Sequence, residues 1–254
     1  MKITLSLLAL AAAAAFGQQT TSSGQASVIS QVVDGDGWQT IISLNNIDAA
    51  PSLYKLSFFD DNGAPMTIPN SILTGSVVYG AIAAHGSVSI QTAGTQATLK
   101  QGWALLETIF ADPLTSAIEP GATIAGTVLF LRPPTVSRPS EASEPLDFSQ
   151  KSQWVLPFDH TNGYTSGVAL VNPSTSQDIS VFITFFDNSG AQLLQDSFTL
   201  PHNQHSAITL TQKYPQVIGR LGTLKITTSG PSINVLGFHV SPSGVFTATS
   251  PTSW

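Results

Sequence analysis

The chain contains no cysteine, and that absence removes disulfide bracing, thiolate chemistry and every cysteine-based zinc site. Charge is nearly as scarce. Only 9% of residues are Asp, Glu, Lys or Arg, against roughly 25% in an average soluble domain. Basic residues are the scarcer sign, 9 against 15 acids, for a formal charge of −6. That balance argues against a nucleic-acid partner. Long hydrophobic runs are missing beyond the N-terminus, so nothing later approaches the ~20 apolar residues of a membrane-spanning helix. Signature motifs are missing too: no Gly-x-Ser-x-Gly elbow, no phosphate loop and no Rossmann glycine pattern.

What is there begins with an address. Lys2 is the first charge, and Ile3 to Phe16 is an unbroken apolar or small run. A basic n-region followed by a short h-region is a secretory signal peptide. Ala15-Phe16-Gly17 fits the small-x-small cleavage rule, so the expected cut follows Gly17. The expected localisation is secreted, extracellular or periplasmic. A retained N-terminal anchor is the alternative, which the shortness of the run disfavours. Residues 18–26 read as a flexible start.

The remaining sequence says the same thing twice. Gly37-Trp38, five residues, Leu44, one residue, Asn46 lines up with Gly163-Tyr164, five residues, Leu170, one residue, Asn172. Phe58-Phe59-Asp60-x-x-Gly63 lines up with Phe185-Phe186-Asp187-x-x-Gly190. Around each motif the apolar residues alternate: Tyr54, Leu56 and Phe58 in one, Ile179, Val181, Ile183 and Phe185 in the other. Period two is the signature of a half-buried strand, so these sets should face a core. Ile42, Leu44, Val168 and Leu170 should do likewise. Asp-x-x-Gly after each is a turn signal. One short helical turn is expected around Gln212 to Val217.

These patterns predict an all-β chain: two tandem antiparallel β-sandwich domains over 27–133 and 153–248. A Pro/Ser-rich linker over 134–152 and a tail over 249–254 complete it. The linker composition predicts a protease-accessible spacer between two independently folding units. The paired motifs resemble tandem immunoglobulin-like or fibronectin-type-III-like modules of uncharacterised secreted bacterial proteins. That resemblance implies a fold and no activity. It is incomplete: Asn46-Ile47-Asp48 stands where the second copy has Asn172-Pro173-Ser174, and the cysteine–tryptophan–cysteine spacing of true immunoglobulin domains is absent.

Chemistry is harder to find. Glu107, in the run Ala104 to Ile109, reads as an outward residue of an alternating strand. His202 and His205 have i, i+3 spacing, but Pro201 places them in a turn, so no metal site is expected. Asp34-Gly35-Asp36-Gly37 starts like a calcium loop. Position twelve is Asn45 rather than glutamate, so an EF-hand is excluded and only a looser calcium site near Asp34 and Asp36 stays open. Asp60, Asp61 and Asp187 read as turn residues. The remaining lead is aromatic: Trp38, Tyr164 and Trp154 are the candidate ligand-binding residues, because exposed rings can stack on sugars. The expected function is therefore non-catalytic, with no cofactor: structural, adhesive or protein-binding. A carbohydrate-binding module pair is the alternative, and a secreted hydrolase a distant third. The expected partner is a glycan or another extracellular protein.

Overall fold

The computed structural model describes residues 26–111, 118–120, 124–132, 140–146, 151–230 and 232–253. The predicted signal peptide lies outside them. The first half carries β1 (Ala26–Asp34), β2 (Gln39–Asn46), β3 (Ser52–Asp60), β4 (Ile68–Pro69), β5 (Thr74–Gly75), β6 (Val77–Ile82), β7 (Ser87–Gln91), β8 (Lys100–Ala111), β9 (Ile118–Pro120), β10 (Ile124–Arg132) and β11 (Ser140–Pro145). The second half carries β12 (Gln153–Asp159), β13 (Thr165–Asn172), β14 (Ile179–Asp187), β15 (Gln192–Leu200), β16 (Gln204–Thr209), helix α1 (Leu210–Lys213), a 3-10 turn (Pro215–Val217), β17 (Leu221–Ser229), β18 (Asn234–Val240), β19 (Phe246–Thr249) and β20 (Thr252–Ser253). The short helical turn expected before Gly219 is present as α1 and the 3-10 turn.

Every strand pairing is antiparallel. The first half forms two large sheets, β1-β8-β3-β6 with β9 beside β8 and β11-β10-β2-β7, and a two-stranded one of β4 and β5. The second half forms two more, β12-β17-β14-β15 and β19-β18-β13-β16, with β20 added beside β12. Strand order is the same in both halves. The stretch read as a spacer contains β11, which pairs with β10 from Thr127↔Pro145 to Arg132↔Ser140 and stands where β19 stands in the second half.

Alternation explains each core. Tyr54, Leu56 and Phe58 are buried from β3, Ile42 and Leu44 from β2. Ile179, Val181, Ile183 and Phe185 are buried from β14, Val168 and Leu170 from β13. The aspartates that end β3 and β14 close the same turn. The Asp60 carboxylate accepts hydrogen bonds from the Asn62 and Ala64 amides, both 2.9 Å. Asp187 accepts from Ser189 and Ala191 at 2.9 and 3.0 Å. The motif asparagines also share a task. Asn46 donates to the Ala50, Ile82 and Ala83 carbonyls, and Asn172 to those of Gln177 and Leu200. Each ties the end of its strand to a neighbouring loop, which satisfies buried backbone groups.

The described residues of the two halves pack directly against each other. β13 is buried along both faces, from Ser166 to Asn172. Val168 and Leu170 point into their own core, while Ala169, with Leu236 of β18, belongs to the core of the first half. Val171 packs with Val28 of β1 and Trp103 of β8. The sheet carrying β13 and β18 therefore covers the open side of the first half, and the apolar run Val168 to Val171 has two cores to serve.

Candidate functional site: the junction between the halves

At the junction, two turns meet. The β3 turn places Asp61 against His205, at the start of β16. His205 Nδ1 donates to Asp61 Oδ1 at 2.7 Å, and its backbone N–H donates to the Asp61 carbonyl at 3.1 Å. Gln101 Nε2 donates to the other carboxylate oxygen at 2.9 Å. Asn203 Nδ2 donates to the Gly63 carbonyl at 2.7 Å. The His205 side chain has no exposed surface, whereas that of Asp61 is 42% exposed. Burial raises the Asp61 pKa, but the hydrogen bonds from His205 and Gln101 and the His205 charge outweigh it and hold it below the usual carboxylate range. Asp61 is thus more than a turn residue; it anchors the second half to the first.

Beside this clamp lies a cleft of about 250 Å³ lined from both halves, with Trp38, Phe130, Phe238 and Phe246 as its aromatic walls. Phe246 meets Trp38 edge-on at 5.4 Å and Phe130 at 6.2 Å, geometries that aromatic quadrupoles favour. The Arg132 guanidinium lies 5.6 Å from the Trp38 ring centroid, within cation–π range. Trp38 is therefore part of the joint between the halves.

The other two candidate aromatics lie apart from it. Tyr164 is 37% exposed and stacks on His239 at 5.0 Å. Trp154 is only 2% exposed, inside the second core, so its ring face cannot receive a sugar. Of the three candidate aromatics, Trp154 therefore offers no exposed face: its burial with Leu156 and Phe158 on one face of β12 consumes the indole.

The candidate acids and histidines are likewise engaged. Glu107 pairs with Lys55 at 2.7 Å on the outer face of the first sheet, opposite it in register. Asp34 is buried, and its carboxylate accepts from the Gly94 amide at 2.7 Å and Gln96 Nε2 at 3.2 Å. Asp36 instead faces Arg132 at 3.7 Å. The two carboxylates of the candidate calcium loop thus serve different partners. His202 pairs with Asp178 at 2.8 Å, away from the His205 clamp. Among the described residues no group of three His, Asp or Glu side chains comes together as a metal site.

One arrangement imitates a catalytic triad. Ser166 Oγ lies 3.3 Å from His239 Nδ1, and Asp159 is nearby. The Asp159 carboxylate, however, accepts from the Thr161 amide and hydroxyl at 2.8 and 2.7 Å, bonds that hold its pKa below the usual range. It does not orient the imidazole. Ser166 is itself buried and accepts the Asp159 amide hydrogen at 3.1 Å. A triad needs its acid on the histidine and its nucleophile open to substrate; neither condition is met.

The Asp61–His205 clamp escaped sequence reading because its residues lie 144 positions apart, with no local pattern marking them as partners. The burial of Trp154 was available from the alternation Trp154, Leu156, Phe158.

No protein-family model matches the chain, and a search of curated proteins finds no relative. Among the described residues, no helix is long and apolar enough to cross a membrane.

Proposed function

We propose that the protein is an exported, non-catalytic pair of tandem β-sandwich modules, immunoglobulin-like or fibronectin-type-III-like, with a structural, adhesive or protein-binding role outside the cell or in the periplasm. The observation that carries this reading is the use made of the polar side chains. Asp34, Asp60 and Asp187 hold turns, Asn46 and Asn172 hold strand ends, and Asp61 and His205 hold the halves together. The shared strand order supports duplication of one module. The two-sided burial of β13 supports a stiff two-module body, suited to holding partners at a fixed separation.

Export and lack of turnover are tested on one preparation. Material recovered from outside the producing cell is expected to begin at or near Gln18 and to release no product from p-nitrophenyl esters or glycosides. A chain found only inside the cell with Met1 intact would overturn export. Turnover that disappears in Ser166→Ala would overturn the non-catalytic reading.

A further inference from the structure

The halves can be compared residue by residue, because their strands share one register. Ile42 and Thr40 of β2 pair with Val128 and Phe130 of β10. Val168 and Ser166, the matching positions of β13, pair with Gly237 and His239 of β18. One strand further out, Ala142 pairs with Phe130 and Thr247 with His239. Across the sandwich, the Thr40 hydroxyl accepts from the Val33 amide at 2.9 Å, as the Ser166 hydroxyl does from the Asp159 amide at 3.1 Å. At this corner Val128, Phe130, Ala142 and Val33 of the first half are thus matched by Gly237, His239, Thr247 and Asp159. Each change shortens the side chain or makes it polar.

The consequence is a hollow. In the first half Val128, Phe130 and Ala142 are buried, and Phe246 of the second half packs over them. The matching corner of the second half carries a cleft of about 300 Å³, at the lower end of the range for ligand pockets. Leu156, Phe158 and Leu224 supply apolar wall. Asp159, His239 and Thr247 also line it, and each keeps exposed surface.

The corner of the first half already holds a cation. The Arg132 guanidinium lies 5.6 Å from the Trp38 ring centroid, with Nη2 3.7 Å from Asp36 Oδ2. The second half keeps a ring, Tyr164, at the place of Trp38, but has Ser241 at the place of Arg132. Its carboxylate stands at Asp159 instead. Hydrogen bonds from Thr161 hold that carboxyl below the usual range, so it is ionised at neutral pH. Both bonds fall on Oδ1. Among the described residues, Asp159 enters no ion pair and no Lys or Arg lines the cleft. An ionised carboxylate without a counter-charge, set beside an apolar wall, complements a cation on a hydrocarbon stem.

We infer that this open corner of the second half binds an organic cation, a primary ammonium or guanidinium on a short apolar stem. The charged group sits at the Asp159 carboxylate and the stem lies along Leu156 and Phe158. The ligand supplies from outside the charge that Arg132 supplies within the first half. Its source is a free amine or a lysine or arginine side chain of a partner protein.

The test follows the backbone amide resonances of Gly167 and Gly237, which line the cleft, in the ¹⁵N-labelled full chain at neutral pH. The probes are n-butylamine and n-butylguanidine for the free cation, and Nα-acetyl-lysine amide and Nα-acetyl-arginine amide for the side chain. n-Butanol is the uncharged control. The expected result is a saturable shift with at least one cation in the millimolar range, and binding at least tenfold weaker for n-butanol. Asp159→Asn, which keeps the acceptor for Thr161, is expected to weaken cation binding about tenfold, the usual worth of a charge-assisted hydrogen bond. Ser241→Arg, which restores the residue of the first half, is expected to weaken it by occupying the corner. Binding of the acetylated amino-acid amides marks a protein side chain as a source, and binding of the bare cations alone marks a free amine; either upholds the site. Resonances unmoved by every cation, n-butanol bound as tightly as n-butylamine, or unchanged affinity in Asp159→Asn would overturn the inference.

Discussion

Gly63→Ala and Gly190→Ala form a matched pair that isolates the strength of the junction. Both glycines close the turn after a Phe-Phe-Asp motif, with φ of 79° and 83°. Alanine therefore meets the same left-handed penalty at either site, about 1–2 kcal/mol. The surroundings differ. A Cβ on Gly190 meets nothing within 4 Å, whereas one on Gly63 would lie 1.9 Å from the Asn203 carbonyl oxygen. A backbone carbonyl in a packed turn cannot swing aside as a side chain can, so the first turn must lift from the second. Lifting breaks the Asn203–Gly63 hydrogen bond, worth about 1 kcal/mol, and parts the buried His205 from Asp61, costing about 1–3 kcal/mol more. Gly63→Ala should thus destabilise the full chain by about 2–4 kcal/mol beyond Gly190→Ala. Urea melts read this as an earlier midpoint, or as a separate early transition if the halves part before they unfold. Equal losses in the two variants would refute the argument: the turns would touch without holding anything together.

Two further outcomes are expected. Phe185→Ala and Phe58→Ala should each cost about 3–5 kcal/mol in denaturant melts, because both rings are fully buried and leave a cavity. Thr184→Ala and Lys55→Ala should stay within about 0.5–1 kcal/mol, since the Lys55–Glu107 pair is solvent-exposed; a neutral Phe185→Ala would mean the strand faces are reversed. The third concerns pH. Burial holds the His160 imidazole below its ordinary range, opposed only in part by its bond to the Val217 carbonyl and by the Asp159 charge. The folded value lies under the unfolded one, so its contribution is complete above about pH 6.5 and is lost as pH falls through the folded value. The urea midpoint should therefore drop between about pH 7 and pH 5, and His160→Phe should flatten that slope; an unchanged slope in the variant would assign the loss to other groups. Asp61 acts lower down: its depressed carboxyl stabilises above about pH 3.8 and stops doing so in acid.

Local patterns in the sequence carried local facts. The inward faces of β3 and β14 follow from alternation, and the Asp60 and Asp187 turns from their Asp-x-x-Gly spacing, because each depends on residues within a few positions. Strand β11 was not legible. Its buried side chains are Ser140 and Ala142, too small to stand out beside the prolines around them; pairing with β10 holds it. The same limit hid the junction. That Trp38 meets Phe246, or that Ala169 lies in the core of the first half, depends on contacts between distant segments. The alternation of β13 showed which residues face its own core but not what would cover the other side.

That other side gives the molecule a direction. Counting from the glycine before each aromatic, Ser43 and Asn45 in β2 occupy the places of Ala169 and Val171 in β13. In the first half these outward positions carry a hydroxyl and an amide, and Asn45 is exposed; in the second they are buried against the neighbour. Exchanging the order of the halves along the chain would press Ser43 and Asn45 into an apolar contact and turn Val171 toward water. However alike their strand orders, the halves are no longer interchangeable. Every side chain from Val168 to Val171 is buried in one core or another, whereas Ser43 and Asn45 lie outside the core of their own half, so β13 has much less room than β2 to drift.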